Sequence, residues 1–228
     1  MLASWSFRMS PKPATERGPH YSNCPVDATA YVAGCTAGVV AVRNQFYQRE
    51  KMLNQPQAMW FELGLDARPE TSLKMQLYEN VRNARELRAL LMGGQLQCCL
   101  IKPQLIVAPL QVAVAANKAL SSSRKRTTKG PFTEILFNLS PSTNISQSLV
   151  KFGIEDGSDS VLVAALRGPG FEDADEAFAR VQGCAVHISQ LAGLSDVAAI
   201  RKTYKIGDVE HQSVALLDSV VSRIASKE

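Results

Sequence analysis

The order of the hydrophobic periodicities constrains the fold of this 228-residue chain more than any other feature. Residues 61–65 and 73–77 alternate apolar side chains with polar or small ones, which is the pattern of half-buried β-strands. Residues 81–91 then place apolar side chains at i, i+3 and i+4, as an amphipathic helix does, and Gly93-Gly94 ends that pattern. Strand follows strand before a helix begins, which predicts a mixed α and β chain.

The rest of the chain continues with short strands and helices. Further strands are predicted at residues 98–101, 105–107, 161–166 and 185–188. Further helices are predicted at residues 109–120, from Pro131 onward, at 144–152, around 173–182, at 195–204 and at 209–225. Proline suits the first helical position at Pro109 and Pro131, and Asn144 with Gln147 matches an N-cap and N3 pair. Several helices between strand pairs favour a single compact α+β domain with a small mixed or antiparallel sheet over a doubly wound sheet.

The first 58 residues differ in kind from the rest. They contain five of the 11 prolines, show no convincing amphipathic period and carry a net charge of +3, which leaves +1 for residues 59–228. This composition predicts a poorly ordered extension followed by a domain over residues 59–228. An Arg-bearing, acid-poor start could be a mitochondrial transit peptide, but Glu16 and the prolines favour an alternative upstream start, with Met59 opening the domain.

Charge, cysteine usage and hydropathy exclude several classes of protein. The net charge of +4 is too small for a basic nucleic-acid-binding surface over the whole protein, so such a site must be a local patch. The five cysteines are odd in number and irregularly spaced, which argues against the disulfide framework of a secreted module. The longest uncharged run, residues 28–42, is shorter than the ~20 residues of a membrane span. We therefore expect a soluble intracellular protein.

The sequence lacks the common motifs that indicate catalysis. It contains no GxxxxGK[ST], no GxGxxG after a strand, no HExxH and no GxSxG, and its three histidines fit surface or structural roles better than acid–base ones. Cys98 and Cys99 point to opposite faces of a predicted strand, so they form no CxxC redox pair. We expect no enzymatic activity, no cofactor and no metal site, and a thiol-dependent enzyme using Cys98 or Cys184 is the weakest alternative.

One segment carries an uncompensated positive charge. Its five cations fall within twelve residues, and no acidic residue comes until position 134. They are Lys118, Arg124, Lys125, Arg126 and Lys129. The serines, threonines and glycine between them predict a flexible helix-to-helix loop that could bind nucleic-acid phosphates, while the absence of aromatic residues argues against base stacking. The alternative is a solubilising loop or a localisation-like run.

The predicted closing helix, residues 209–225, carries a broad apolar arc. Val214, Leu217, Val221 and Ile224 form one stripe, with Leu216 and Val220 beside it. Deep packing of the last helix explains this arc, and the alternative is a partner interface at Leu216 and Val220.

Several blocks of the sequence together resemble the TPRKB family. They are residues 83–94, the stretch Ile106-Val107-Ala108-Pro109-Leu110-Gln111-Val112-Ala113-Val114-Ala115-Ala116-Asn117-Lys118-Ala119, the stretch Thr133-Glu134-Ile135-Leu136-Phe137-Asn138-Leu139-Ser140-Pro141, and Asn144-Ile145-Ser146, Lys151-Phe152-Gly153-Ile154, Tyr204-Lys205 and Leu216-Leu217-Asp218. The resemblance covers residues 59–228.

The resemblance implies a single α+β domain without catalytic activity, the PRPK-binding subunit of the KEOPS (EKC) complex. Such a subunit would bind the small atypical kinase PRPK and help to hold tRNA, including its 3′ CCA end, in a complex that installs threonylcarbamoyl-adenosine beside the anticodon. The implied localisation is cytoplasm and nucleus, with no membrane partner. The runner-up interpretation is a kinase-regulating protein-interaction module whose basic segment touches no RNA.

Overall fold

The structure is a computed structural model that describes residues 60–121, 126–171 and 174–227. The predicted extension over residues 1–58 and the predicted domain boundary at residue 59 lie outside the described residues. The described chain forms one sheet with helices on both of its faces.

The sheet has five strands, and every pairing between them is antiparallel. They are β1 (Trp60–Leu65), β2 (Arg68–Glu79), β3 (Cys99–Ile101), β4 (Val161–Arg167) and β5 (Cys184–Val186). The main order is β1-β2-β4-β3, and β5 continues the β1 side of the long strand β2. The alternation of apolar residues in β1 and β2 places Leu63 opposite Leu73, so that both side chains face the same core.

Nine α-helices lie within the described residues. They are α1 (Ala84–Met92), α2 (Pro109–Leu120), α3 (Pro131–Leu139), α4 (Ile145–Phe152), α5 (Ala174–Ala179), α6 (Leu191–Leu194), α7 (Val197–Tyr204), α8 (Asp208–Ser213) and α9 (Leu216–Ser226). Two short 3-10 helices, Pro103–Leu105 and Ile188–Gln190, connect them to the sheet. Pro109 and Pro131 occupy first helical positions as predicted, and the Asn144 side chain accepts a hydrogen bond from the Gln147 amide at the start of α4.

The core lies in two layers, one on each face of the sheet. The larger layer packs α2, α3, α4, α7 and α9 against alternate residues of β1, β2, β3 and β4, with Leu73, Met75 and Ile135 wholly buried. The smaller layer packs α1 and α5 against the opposite face, around Leu87 and Val163. The predicted α+β domain with a small sheet and several helices is confirmed, and the sheet is antiparallel.

The predicted single closing helix over residues 209–225 is wrong. The backbone of Val214 and Ala215 is extended, with ψ angles of 140° and 137°, and it separates α8 from α9. The Arg223 guanidinium in α9 donates to both carboxylate oxygens of Glu210 in α8, at 2.6 and 2.7 Å. This bidentate pair joins the two short helices across the break, a contact that the helical periodicity does not reveal.

Three shorter predictions also need correction. The predicted strand at 105–107 does not form, because the Ile106 amide donates to the Pro103 carbonyl of the 3-10 helix and the Val107 amide donates to Gln111 Oε1. The predicted strand 185–188 forms as β5, which begins at Cys184 and ends before the 3-10 helix at Ile188. The helix predicted at 195–204 begins at Val197, because Asp196 caps α7 by accepting from the Ala199 amide, whereas the Ser195 hydroxyl donates to the Ile106 and Leu191 carbonyls.

Candidate nucleic-acid interface

Residues 121–130, between α2 and α3, form the segment that we call the basic loop. Its C-terminal end is fixed to the first turn of α3 by a buried carboxylate, Glu134. Oε2 of Glu134 accepts hydrogen bonds of 2.7 Å from both the amide and the hydroxyl of Thr128. The Gly130 amide donates to Thr133 Oγ1 at 3.2 Å. These bonds set the position of residues 128–130, and therefore of the backbone that carries Lys129.

Of the predicted phosphate-binding cations, Lys129 lies on this fixed part and Arg126 lies two residues before it. Arg126 and Lys129 are exposed, and neither forms an ion pair with a carboxylate of the described chain. The predicted contacts Arg124 and Lys125 lie outside the described residues. An exposed, uncompensated cation keeps its full field toward solvent, so Arg126 and Lys129 are suited to neutralise phosphates.

Lys118, the fifth predicted cation, differs from Arg126 and Lys129 because its ammonium is hydrogen-bonded within the domain. It lies half-buried in the last turn of α2, and its ammonium donates to the Ile224 carbonyl at 2.8 Å and to the Ala225 carbonyl at 3.3 Å. The Lys227 carbonyl accepts a further bond from the same ammonium. These are carbonyls at the C-terminus of α9, where a cation is favourable because the last carbonyls of a helix have no intrahelical donor. A phosphate contact at Lys118 stays a prediction.

Lys227, directly after α9, makes a second contact between helix ends. Its side chain is buried, and Nζ donates at 2.5 Å to the carbonyl of Phe137 near the C-terminal end of α3. The same nitrogen lies 3.2 Å from the centroid of the Phe137 ring. Burial, followed by repulsion from Lys118, lowers the pKa of the Lys227 ammonium from 10.5 to about 8. The two lysines together tie α2, α3 and α9 into one unit beneath the basic loop.

The lowered pKa of Lys227 predicts an unusual pH dependence of stability. Between pH 8 and pH 10 the unfolded chain holds a proton on Lys227 that the folded chain has lost, so the free energy of unfolding should rise with pH in this window. Denaturant unfolding at pH 7, 8, 9 and 10 measures the slope, and Lys227→Met is the matched control because it removes the titrating group but keeps the stem. An identical slope in wild type and Lys227→Met would contradict the assignment.

Leu216 and Val220, the predicted kinase-binding pair, differ in burial. Val220 is wholly buried in the larger core layer, whereas Leu216, in the first turn of α9, is only partly buried against that layer. The break before α9 leaves Val209 79% exposed and Val214 37% exposed on and after α8. Of the predicted pair, only Leu216 can therefore reach a partner without unfolding the chain.

A shallow groove of about 610 Å³ lies between α4 and the 3-10 helix Pro103–Leu105. Its apolar lining includes Leu105 and Val150, and the Lys102 ammonium donates at 2.5 Å to Glu155 at its rim. This groove was not predicted from the sequence. Its one signal in the sequence is Val150, an apolar residue that the helical period of α4 directs away from the buried Phe152.

The thiols are placed unfavourably for nucleophilic chemistry. Cys98 and Cys99 face opposite core layers, as predicted, and both are buried. Burial raises the pKa of Cys98 to about 12 and that of Cys99 well above its ordinary value, so both stay protonated thiols at neutral pH. Cys184 in β5 is exposed.

The described part of the chain shows no candidate metal site and no candidate membrane span. Within residues 60–121, 126–171 and 174–227, no three His, Cys, Asp or Glu side chains come together in a group that could hold a metal ion. None of the helices in these ranges is both long and apolar enough to cross a bilayer.

Comparison with known proteins relates most of the chain to one family. A family model described as kinase binding protein CGI-121 matches residues 78–228. The chain is 34% identical over 173 residues to the zebrafish protein EKC/KEOPS complex subunit TPRKB, a match that covers 75% of this chain and 99% of that protein. It is 30% identical over 122 residues to EKC/KEOPS complex subunit CGI121 of Kluyveromyces lactis, covering 53% of this chain and 76% of the yeast protein. It is 28% identical over 167 residues to the Schizosaccharomyces pombe subunit of the same name, covering 68% and 95%.

Proposed function

Because the chain belongs to the CGI-121 family of kinase binding proteins, we propose that it is a non-catalytic subunit of an EKC/KEOPS complex that binds both the kinase subunit and tRNA. The membership confirms the resemblance seen in the sequence. The proposed kinase partner is PRPK, and the proposed task is to support the threonylcarbamoyl-adenosine modification of tRNA beside the anticodon. The group transfer itself is assigned to another, metal-dependent subunit.

The observation that carries tRNA binding is the pair of exposed cations, Arg126 and Lys129, on either side of Thr128 in the basic loop. Together with Arg124 and Lys125 in the sequence, they give four positive charges without an intervening acidic residue. Each cation can neutralise one phosphate and release its counterion, which is the main source of sequence-independent affinity for RNA.

The loop is suited to a single strand rather than to a base sequence. It contains no aromatic side chain on which a base could stack, so its contacts to RNA would be made by charge. The proposed RNA target is therefore the exposed 3′ CCA end of tRNA, held by charge. In this role the subunit restricts the position of the tRNA and leaves the chemistry to its partners.

The kinase contact is proposed for the surface where α8 ends and α9 begins. Leu216 is the accessible member of the predicted pair, and the exposed Val209 and Val214 extend the apolar area around it. An apolar centre of this kind, bordered by charged residues, is the usual composition of a protein interface. The proposed localisation is cytoplasm and nucleus, where the tRNA substrates and the complex would meet.

A second candidate function is a kinase-regulating interaction module without RNA contact. The observation in its favour is Lys118, whose ammonium contacts carbonyls at the end of α9. If the loop cations served solubility alone, kinase binding would be the whole function. The thiol-enzyme alternative is weakened further by the burial of Cys98 and Cys99.

Affinity purification and tRNA retention separate the two candidates. We expect the full chain to co-purify a small atypical kinase, identified by mass spectrometry, and the assembled complex to retain tRNA. Retention should fall with salt, with a log–log slope of roughly 0.7–0.9 per phosphate contact. The control is the same complex without this subunit. Equal tRNA retention with and without the subunit would support the module that touches no RNA.

A further inference from the structure

The groove between α4 and the 3-10 helix Pro103–Leu105 has an apolar wall that the described residues leave largely uncovered. Val150, in the last turn of α4, is 69% exposed, and Leu105 lines the same groove from the 3-10 helix. The volume of about 610 Å³ lies within the range of sites that enclose a small ligand or a few side chains of a peptide. An incoming apolar side chain would bury this wall, which favours association.

Hydrogen bonds hold both sides of the groove in place. The Lys102 amide donates to the Phe152 carbonyl at 2.8 Å, which joins the end of β3 to the end of α4. In the 3-10 helix, the Gln104 carbonyl accepts from the Asp196 amide at 2.9 Å, and Gln104 Nε2 donates to Ser160 Oγ at 3.2 Å. A partner would therefore meet a groove that is already formed, so that binding orders little of this chain.

The groove carries one uncompensated positive charge. Of its two lysines, Lys102 pairs with Glu155, whereas Lys151 is exposed and forms no ion pair with a carboxylate of residues 60–121, 126–171 and 174–227. The hydrogen bond from Lys102 lowers the pKa of the Glu155 carboxyl, so both members of this pair are ionised at neutral pH and their charges cancel. Beside them, Gln147 Oε1 accepts from the Ser142 hydroxyl, which leaves the Gln147 side-chain nitrogen as a donor toward the groove.

These features favour a peptide over a nucleic acid. A single uncompensated cation suits one carboxylate, whereas a nucleic-acid strand brings a phosphate with every nucleotide and would meet the Glu155 carboxylate at the rim. The lining residues include no aromatic side chain on which a base could stack.

We propose that this groove binds a short peptide segment of a protein partner, in which an apolar side chain lies next to an acidic one. The apolar side chain packs between Val150 and Leu105, and the carboxylate pairs with Lys151. The basic loop and the surface at α8 and α9, which carry the proposed function, are formed by other elements, so the inference does not depend on RNA binding or on that kinase contact.

The test uses the full chain and a fluorescein-labelled synthetic peptide whose one leucine is flanked by glutamates. Fluorescence anisotropy should show saturable binding to one site. Exchange of the leucine for serine, or of the glutamates for lysines, should weaken binding by about tenfold or more, because each change removes one half of the proposed recognition. Absence of saturable binding by the first peptide would overturn the proposal.

Two variants separate the groove from the basic loop, which attracts the same acidic peptide by charge alone. Val150→Gln removes the exposed apolar wall without adding a charge and should weaken peptide binding by about tenfold. Lys151→Gln should weaken binding and reduce its salt dependence. Lys202→Gln, the matched control, removes an exposed cation of α7 and should bind the peptide as wild type does. Undiminished binding to Val150→Gln would place the peptide elsewhere and contradict the proposal.

An RNA oligonucleotide that ends in CCA tests the other class of ligand. Its affinity for the full chain should be the same in wild type and in Val150→Gln. An RNA affinity that falls with Val150→Gln would assign the groove to nucleic acid and overturn the peptide site. Because peptide binding is measured without RNA or kinase, failure of the proposed function would leave that result unchanged.

Discussion

Reversing all four cations of the basic loop, Arg124, Lys125, Arg126 and Lys129 to Glu, is expected to abolish tRNA retention by the assembled complex. The variant replaces four potential phosphate contacts with four negative charges that repel phosphates. The loop has no aromatic residue whose stacking on a base could make up for the lost affinity. Threonylcarbamoyl-adenosine formation by the reconstituted complex should fall with it. Filter retention at low salt measures the first effect, and nucleoside analysis of the tRNA measures the second.

The structure supplies a matched control for this charge reversal. Lys118→Met removes a cation of the same region but one whose ammonium contacts the end of α9. It should lower the thermal midpoint of the domain, and its effect on the salt slope should be far smaller than that of the loop variant. Kinase binding should survive in the loop variant. Unchanged tRNA retention after reversal of all four cations would assign the basic loop to solubility.

Replacing Val220 by Asp is expected to unfold the isolated chain. Val220 is wholly buried among apolar side chains of the larger core layer, so the new carboxylate has no water and no partner, and the cost should exceed about 4 kcal/mol. Leu216→Asp is the comparison, because Leu216 is partly exposed and its variant should stay folded. Urea denaturation monitored by circular dichroism gives both stabilities.

The same pair tests the proposed kinase surface. Folded Leu216→Asp protein should bind the kinase more weakly, since a charge at the centre of a desolvated patch costs several kcal/mol. Val209→Ser, on the exposed side of α8, provides a milder variant that leaves the core untouched. If Leu216→Asp and Val209→Ser both bind the kinase as wild type does, the interface lies elsewhere, and the groove beside Val150 becomes the next surface to mutate.

Structural features that depend on nearby residues could be predicted from the sequence. The alternation in β1 and β2, the prolines that open α2 and α3, and the Asn144 cap all act within a few positions, and each was predicted. The opposite faces of Cys98 and Cys99 follow from the two-residue period of a strand. These local signals were sufficient for the fold class.

Contacts between distant residues explain what the sequence could not predict. The break at Val214 and Ala215 is joined by the Glu210–Arg223 pair, which connects two different helices. The Lys118 ammonium donates to carbonyls more than 100 positions away along the chain. The cationic character of the basic loop was visible in the sequence, but the separation of its exposed cations from the engaged Lys118 required the packed structure.

The position of β2 in the sheet affects how the domain assembles on the ribosome. This strand is translated early, yet it must pair with β4, and the Lys74 ion pair that joins β2 to α5 spans 101 positions. Until β4 emerges, the β1–β2 pair has apolar residues on one face and no neighbour along one of its edges. Long-range antiparallel pairing of this kind slows folding and prolongs the exposure of aggregation-prone strands. The nascent chain should therefore depend on chaperones until residue 167 has cleared the exit tunnel.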